Sequence, residues 1–466
     1  MGGWVAFVGQ VDDFQARVDR FRKVFSVENV PALKTEVIEI SRSFRVLLWA
    51  WNKHHIPDVY VQKNEKGDAL ILCGVITGTG SFCNFDPDQE ITSRNILERW
   101  SSANDFPIEQ LNGSFSCFFF NSRKNEVVSF VDRFASRSVW TYKENNIWIA
   151  GNFPTAIAAC LKETPKIDLA GLWSLLHYGR HIGKHGIFEA MHCLLAGQKA
   201  LLSPDKELMV SNWWERRYRP EKGVSAKNWG KRIAAGLRVS AERYKKVSPN
   251  PRLYLSGGLD SRIAAAAFGK PMKTVTLCTQ PNAETKNAAR IARTLGLTHK
   301  IIFRSPYWYL DSMDAASLIS SGNYLNHNTH FIVPTIDMAD SDPEETFFLG
   351  DLLENFNKHY FNIPKGKKLS FNPETIEEDL YQMIPSTVKD RNRWGIHLNP
   401  KTKNKARKSF SIALREYSKY TASVSDSPGD QFDSLLRWAD VSTTYTYNML
   451  TCLWPFACER NLCFDN

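Results

Sequence analysis

Short apolar or alternating runs recur through the first 160 residues: Trp4–Val8, Ser43–Trp49, Ala69–Ile76, Ser114–Phe120, Val127–Val131 and Ile147–Ala150. Turn formers separate them, as in Glu65-Lys66-Gly67-Asp68 and Glu144-Asn145-Asn146, so each run is predicted to be a strand. Helical patterns fall near Phe14–Phe25 and Ser93–Ser102. Such a mixture predicts layered sheets with helices packed outside. A connecting piece from about 161 to 215 ends in Trp213-Trp214. From about 250 the rhythm changes. Arg252–Leu255, Thr274–Cys278 and Lys300–Phe303 read as strands, and Asp260–Phe268 and Glu284–Leu295 as the helices between them. Ala288, Ile291, Ala292 and Leu295 share one helical face, and Gly296 stops that helix. Strand–helix–strand repetition with short connections predicts a parallel sheet covered on both faces. Thr421–Asp430, rich in Ser, Asp, Pro and Gly, is predicted to be an exposed loop.

A length of 466 residues, at ~100–200 per domain, predicts two or three domains. With 43% hydrophobic and 23% charged residues the chain is globular in composition. No apolar run approaches the ~20 residues of a membrane span. The opening MGGWVAFVGQVDD has no basic region of the signal-peptide kind, and Ala6 stands where a myristoylation pattern wants Ser or Thr. A cytoplasmic location is expected, with no membrane partner. Nine cysteines, mostly inside apolar runs, read as reduced core thiols.

The net charge of +10 is concentrated. Between Trp213 and Lys246 there are eleven Lys or Arg against three Glu, and between Lys389 and Lys408 eight against Asp390 alone. Solvated faces are the ordinary reading, with a polyanionic ligand such as ATP or an acidic partner as the alternative.

The most informative string is Leu253-Tyr254-Leu255-Ser256-Gly257-Gly258-Leu259-Asp260-Ser261, an apolar strand running through Ser-Gly-Gly into a helix. Glycines let backbone N–H groups face an anion, and the helix adds its positive end. Ser256 and Ser261 can donate further hydrogen bonds. Asp260 suits that place only with a magnesium ion between it and phosphate. No Lys follows the glycines, so this is not a G-x-x-x-x-G-K-[ST] loop. The bland alternative is a strand-to-helix turn with an Asp cap.

Ser256–Ser261 resembles the pyrophosphate loop of the PP-loop ATP pyrophosphatases, and the flanking sequence resembles the asparagine synthetase family. Thr276–Thr279, Glu284, Ala288–Ala292 and Leu295–His299 are similar to that family's second strand and helix. Leu111–Ser116 and Asp132–Ser138 are similar to its glutaminase signatures, and Gly186–Gly197 through Trp213-Trp214 to its connector. The resemblance implies an α/β fold: residues 1–215 form a layered αββα glutaminase-like domain with connector, and 216–466 a doubly wound, Rossmann-like ATP-binding domain. It implies ATP binding by Leu255, Ser256, Gly257, Gly258, Asp260, Ser261, Leu277, Gly350 and Asp351. It also implies Mg2+ held by Asp260 and Asp351, both at strand ends of one sheet.

Three departures shape the expected activity. Gly2 stands where the family has its nucleophilic cysteine, and Cys73 and Val75 replace the amide donor and glutamate of its oxyanion segment, so glutamine hydrolysis is not expected. Phe348 and Leu352 replace two glutamates around Gly350-Asp351, which puts free aspartate in doubt as substrate; Glu354 is a candidate displaced carboxylate. The family's later lysine-bearing stretch has no counterpart after Asn466, so the chain reads as shortened at its C-terminus. The expected enzyme joins a small-molecule or peptide carboxylate to ammonia or a substrate amine through an acyl-adenylate, as in β-lactam synthetases and lasso-peptide cyclases. His327, His330 and Tyr307-Trp308-Tyr309 are candidates for the acceptor pocket, with rim packing as the plainer alternative. A degenerate nucleotide-binding member, asparagine synthase using free ammonia, and a nucleic-acid-modifying enzyme remain as alternatives; self-association is left open.

Overall fold

The computed structural model describes residues 2–102, 107–178, 180–219, 221–321, 329–350, 370–383, 398–438 and 452–465. Twelve strands build two antiparallel sheets: β1 (Gly3–Val8), β2 (Lys34–Ser41), β3 (Phe44–Ala50), β4 (Val59–Lys63), β5 (Ala69–Gly78), β6 (Asn112–Asn121), β7 (Glu126–Val131), β8 (Trp140–Glu144), β9 (Ile147–Gly151), β10 (His192–Cys193), β11 (Gln198–Leu202) and β12 (Met209–Asn212). Their orders are β10-β8-β9-β1-β3-β2 and β12-β11-β7-β6-β5-β4. Alternation along β5 and β6 decides which face goes where. Ile71, Cys73, Val75, Phe118 and Phe120 point into the core between the sheets. Leu70, Leu72, Ile76, Cys117 and Phe119 point to the other side. Trp4 meets Phe118 across the layers at 4.5 Å between ring centroids.

Helices close both outer faces. α1 (Phe14–Phe25) buries Phe21 and Phe25 against Trp49 of β3, and α2 (Gln89–Ser102) stacks Trp100 on Phe119 of β6 at 4.2 Å. The layers therefore run helix, sheet, sheet, helix, as expected. Pattern reading missed β2, β4, β8, β10, β11 and β12. β2 and β4 bury little or nothing completely, and β12 is exposed throughout, so each lacks the apolar signal that marks the others.

After α3 (Pro154–Cys160), α4 (Leu169–Tyr178) and the long α5 (Ala226–Lys246) the chain enters a five-stranded parallel sheet. Its strands are β13 (Pro251–Tyr254), β14 (Lys273–Cys278), β15 (His299–Phe303), β16 (Thr346–Phe348) and β17 (Cys458–Arg460), in the order β15-β14-β13-β16-β17. Helices α6 (Leu259–Phe268) and α7 (Ala283–Leu295) make the crossovers from β13 to β14 and from β14 to β15. The order reverses between β13 and β16, and such switch points leave a crevice at the carboxyl ends of the strands.

The basic stretches divide. The first half of α5 carries Lys227, Lys231 and Arg232 into solvent, and helix Pro400–Ala422 exposes Lys401, Lys403, Lys405, Arg407 and Lys408 while burying Phe410 and Leu414. Residues 389–397 lie outside the described set. The loop predicted over Thr421–Asp430 is shorter: the helix runs to Ala422, another starts at Pro428, and Val424 is buried. No described helix is long and apolar enough to cross a membrane.

One titratable group gives the fold a pH signature. Burial, followed by the charges of His185 and Lys184, lowers His192 to about 4. The folded state thus binds fewer protons than the unfolded chain between about pH 6.5 and 4, and stability falls as pH drops through that window. His192→Gln should remove part of that slope. Urea midpoints measured at pH 7 and pH 5 check it; identical slopes in both proteins would contradict the assignment.

Candidate functional site

β13 ends at Tyr254 and α6 begins at Leu259, so Leu255–Gly258 form the turn between them. Leu255 N donates to Val275 O (2.8 Å) and Thr276 Oγ1 to Leu255 O (2.5 Å), which ties the turn to β14 as it leaves the sheet. Ser261 Oγ accepts from Ser256 N (3.0 Å) and lies 2.8 Å from Ser256 Oγ, which accepts from Gly258 N (3.2 Å). The two serines therefore brace the loop from inside.

The Asp-cap alternative does not hold. Gly258 is the residue capping α6, no side chain caps the helix, and Asp260 sits within its first turn. A glycine at the cap leaves the helix start open to approach, and backbone N–H groups together with the positive helix end favour an anion there. Gly257 lets the turn lie on α7: a Cβ there would stand 3.1 Å from Glu284 Cα and O. α7 is itself held by a reciprocal cap, with Thr285 N donating to Asn282 Oδ1 (3.0 Å) and Asn282 N to Thr285 Oγ1 (3.1 Å).

From the other side of the switch point, β16 delivers Leu349 and Gly350. A Cβ on Gly350 would fall 2.5 Å from Ser261 Cα and 2.7 Å from Ser261 N, so these two backbones touch. Beside this contact opens a cleft of about 230 Å³. Leu255, Ser256, Asp260, Ser261, Leu277 and Gly350 line it, six of the nine residues named from sequence. Gly257 and Gly258 form the turn at its edge, while Asp351 lies outside the described residues, as do Leu352, Glu354 and His327.

Sequence reasoning missed Tyr254, Thr276 and Glu284 as lining residues, together with Phe331 and Leu349. Strand-end position was the available signal for Thr276, and first-turn position for Glu284. Of the acceptor candidates, His330 lines the cleft and its ring lies 5.8 Å from that of Trp308. Tyr307 and Tyr309 are exposed instead. Phe348 does not line the cleft: it packs on Phe268 and Tyr244 in the core.

A magnesium ion on bound ATP needs only one or two protein carboxylates, because phosphate oxygens and waters supply the rest. Asp260 on the cleft wall fits that requirement, and no group of three or more metal-binding side chains occurs among the described residues.

The sandwich holds the other candidate positions. Gly2 N donates to Pro57 O, and a Cβ on Gly2 would stand 2.2 Å from Ile56 Cγ2 and 2.9 Å from Trp49 O. No side chain fits there. Cys73 is fully buried, and burial pushes its thiol far above the ordinary range, so it carries no thiolate at neutral pH. The Asp132–Ser138 turn is locked by its own aspartate, which accepts from Phe115 N (3.0 Å), Phe134 N (2.7 Å) and Ser136 N (3.2 Å).

Residues 249–323 match the family model described as asparagine synthase. That stretch holds β13, β14 and β15, the Ser256–Ser261 loop and both crossover helices. No curated protein matches the chain. Among solved structures, the chain is similar to an NH3-dependent NAD synthetase from Campylobacter jejuni, at 17% identity and a TM-score of 0.21, covering 40% of this chain and 96% of that one. It is also similar to the glutamine phosphoribosylpyrophosphate amidotransferase from B. subtilis complexed with ADP and GMP, at 8% identity and 0.28, covering 67% and 70%. Likeness at this level carries no functional weight.

Proposed function

We propose that the chain is an ATP-dependent ligase that forms carbon–nitrogen bonds in the manner of asparagine synthase, without hydrolysing glutamine. A substrate carboxylate attacks the α-phosphate of ATP, releasing pyrophosphate and leaving an acyl-adenylate; ammonia or a substrate amine then displaces AMP. The observation that carries this reading is the cleft at the β13/β16 switch point, where the glycine-led start of α6, Asp260 and Gly350 converge. The asparagine synthase match over the same residues supports it.

In this reading residues 216–466 hold ATP, with the α6 amides and Gly257-Gly258 at the phosphates and Leu277 beside the nucleotide. Asp260 and Asp351 would hold Mg2+, which would neutralise charge on the departing pyrophosphate. Residues 1–215 keep a glutaminase-like architecture without its chemistry, since Gly2 has no room for a side chain and Cys73 stays protonated. Free aspartate is disfavoured as substrate by the core position of Phe348, so the acid is a different small-molecule or peptide carboxylate.

The test is exchange of labelled pyrophosphate into ATP across a panel of carboxylic acids, including free and peptide-borne Asp and Glu. Exchange with at least one acid, lost in Asp260→Ala, is expected. Stoichiometric ADP production during amide formation would overturn the mechanism.

A further inference from the structure

The parallel sheet does not end on an element of its own neighbourhood. β17 is reached through a segment that runs along the sandwich, where Trp51 N donates to Pro455 O (2.9 Å) and Asn52 Nδ2 to Phe456 O (2.5 Å). At β17 itself Arg460 holds Asp58 with both guanidinium arms, Nη2 to Oδ1 at 2.9 Å and Nη1 to Oδ2, and the two side chains are 3% and 0% exposed. Burial by itself would raise the Asp58 carboxyl, but the Arg460 charge and its hydrogen bonds outweigh that and hold it well below the usual carboxylate range. A pair this dry keeps its geometry, because neither partner can exchange the other for water.

Arg460 also reaches the cleft through its backbone. β17 lies parallel to β16 with Arg460 opposite Phe348, and Leu349 N donates to Arg460 O (3.3 Å). Leu349 and Gly350 line the cleft, and Gly350 rests on Ser261, the brace of the phosphate loop. An unbroken path therefore leads from a carboxylate in the sandwich to the loop: Asp58, Arg460, Leu349, Gly350, Ser261.

We propose that the amino-terminal sandwich serves as a positioning element for the nucleotide cleft, with Asp58 acting through Arg460 to set where β16 delivers Gly350. This rests on the reading of that cleft as the ATP site. It gives the sandwich a role that needs no glutaminase chemistry.

Asp58→Asn tests it. Asparagine keeps the shape of the side chain and tolerates the left-handed backbone of position 58 (φ +49°), but it leaves the Arg460 charge without a counter-charge. The control is Glu144→Gln, which removes one partner of Arg17 in the same sandwich, away from β17. Two quantities are read: Mg–ATP affinity by calorimetry, and amide hydrogen exchange at Leu349 without nucleotide. In Asp58→Asn the Kd should rise at least tenfold and exchange at Leu349 should quicken at least tenfold; Glu144→Gln should leave both within twofold. Unchanged exchange in a folded Asp58→Asn overturns the proposal. So does quickened exchange with unaltered affinity, or an equal effect in the control. If the unsubstituted protein binds no Mg–ATP, the ATP reading falls alone, and the exchange comparison still decides whether Asp58 orders β16. Should Asp58→Asn not fold, Arg460→Lys, which keeps the charge but not the two-armed grip, is judged by the same two readouts.

Discussion

Replacing Glu459 by glutamine is expected to lower the unfolding free energy by about 3–5 kcal/mol, because it leaves a buried guanidinium without its counter-charge. Arg137 and Glu459 are both 0% exposed, and Arg137 Nη1 donates to Glu459 Oε2 at 2.6 Å. Arg137 Nη2 also donates to Glu459 O (2.9 Å), and the guanidinium lies 5.0 Å from the ring of Trp454. The pair is shut off from solvent, and the other carboxylate that feels the Arg137 charge, Asp58, is already held by Arg460. Yet the pair is imperfectly satisfied: among the described residues Arg137 Nε and Glu459 Oε1 have no hydrogen-bond partner. Removing both charges should therefore cost much less than removing one, and Arg137→Met/Glu459→Met should recover most of the loss. Urea denaturation of the single and double variants measures this. A single variant as stable as the unsubstituted protein would refute the first expectation, and a double variant no better than the single would refute the second.

Gly350→Ala is expected to weaken Mg–ATP binding at least tenfold, about 1.4 kcal/mol, while leaving the protein folded. Its Cβ would stand inside 3 Å of the Cα, N and Cβ of Ser261. Backbone cannot swing aside as a lysine tip would, so either α6 or β16 must shift. Overpacking of this kind costs typically 1–3 kcal/mol in stability. The larger consequence is local, because Ser261 Oγ is the acceptor for Ser256 N and the loop opens when it moves. Gly230→Ala is the control, since nothing lies within 4 Å of a Cβ at that place in α5; it should leave affinity unaltered. Calorimetry on the three proteins decides the matter, and equal affinity in Gly350→Ala would mean that the β16–α6 contact does not shape the site.

Both expectations bear on why such a chain would keep a sandwich with no nucleophile at Gly2. The carboxyl end of the parallel sheet is held in part by residues of the other layer: Arg137 grips Glu459 and Asp58 grips Arg460. These contacts need no chemistry from the sandwich itself.

What the sequence by itself determined is local. Leu253–Ser261 announces a strand, a glycine turn and a helix start because each of those states depends on residues within a few positions of one another: φ freedom at Gly257 and Gly258, and an apolar run that must be buried. The same holds for α1, whose bounds Phe14–Phe25 match the predicted run, and for the alternation along β5 and β6. Short-range rules also put Asp260 and Asp351 just past apolar strands, hence at one edge of a parallel sheet; Asp260 does line the cleft, and Asp351 lies outside the described residues. Tertiary structure decided the rest. No periodicity marks Thr276 or Glu284 as cleft walls, since that depends on which strands become neighbours. The Asp132–Ser138 motif is legible, but nothing in it reveals that Arg137 meets a carboxylate 322 positions later. Charges choose partners by proximity in a medium of low polarity, and proximity between distant segments is created only when the chain topology closes; the sequence contains those residues, and the fold makes them a pair.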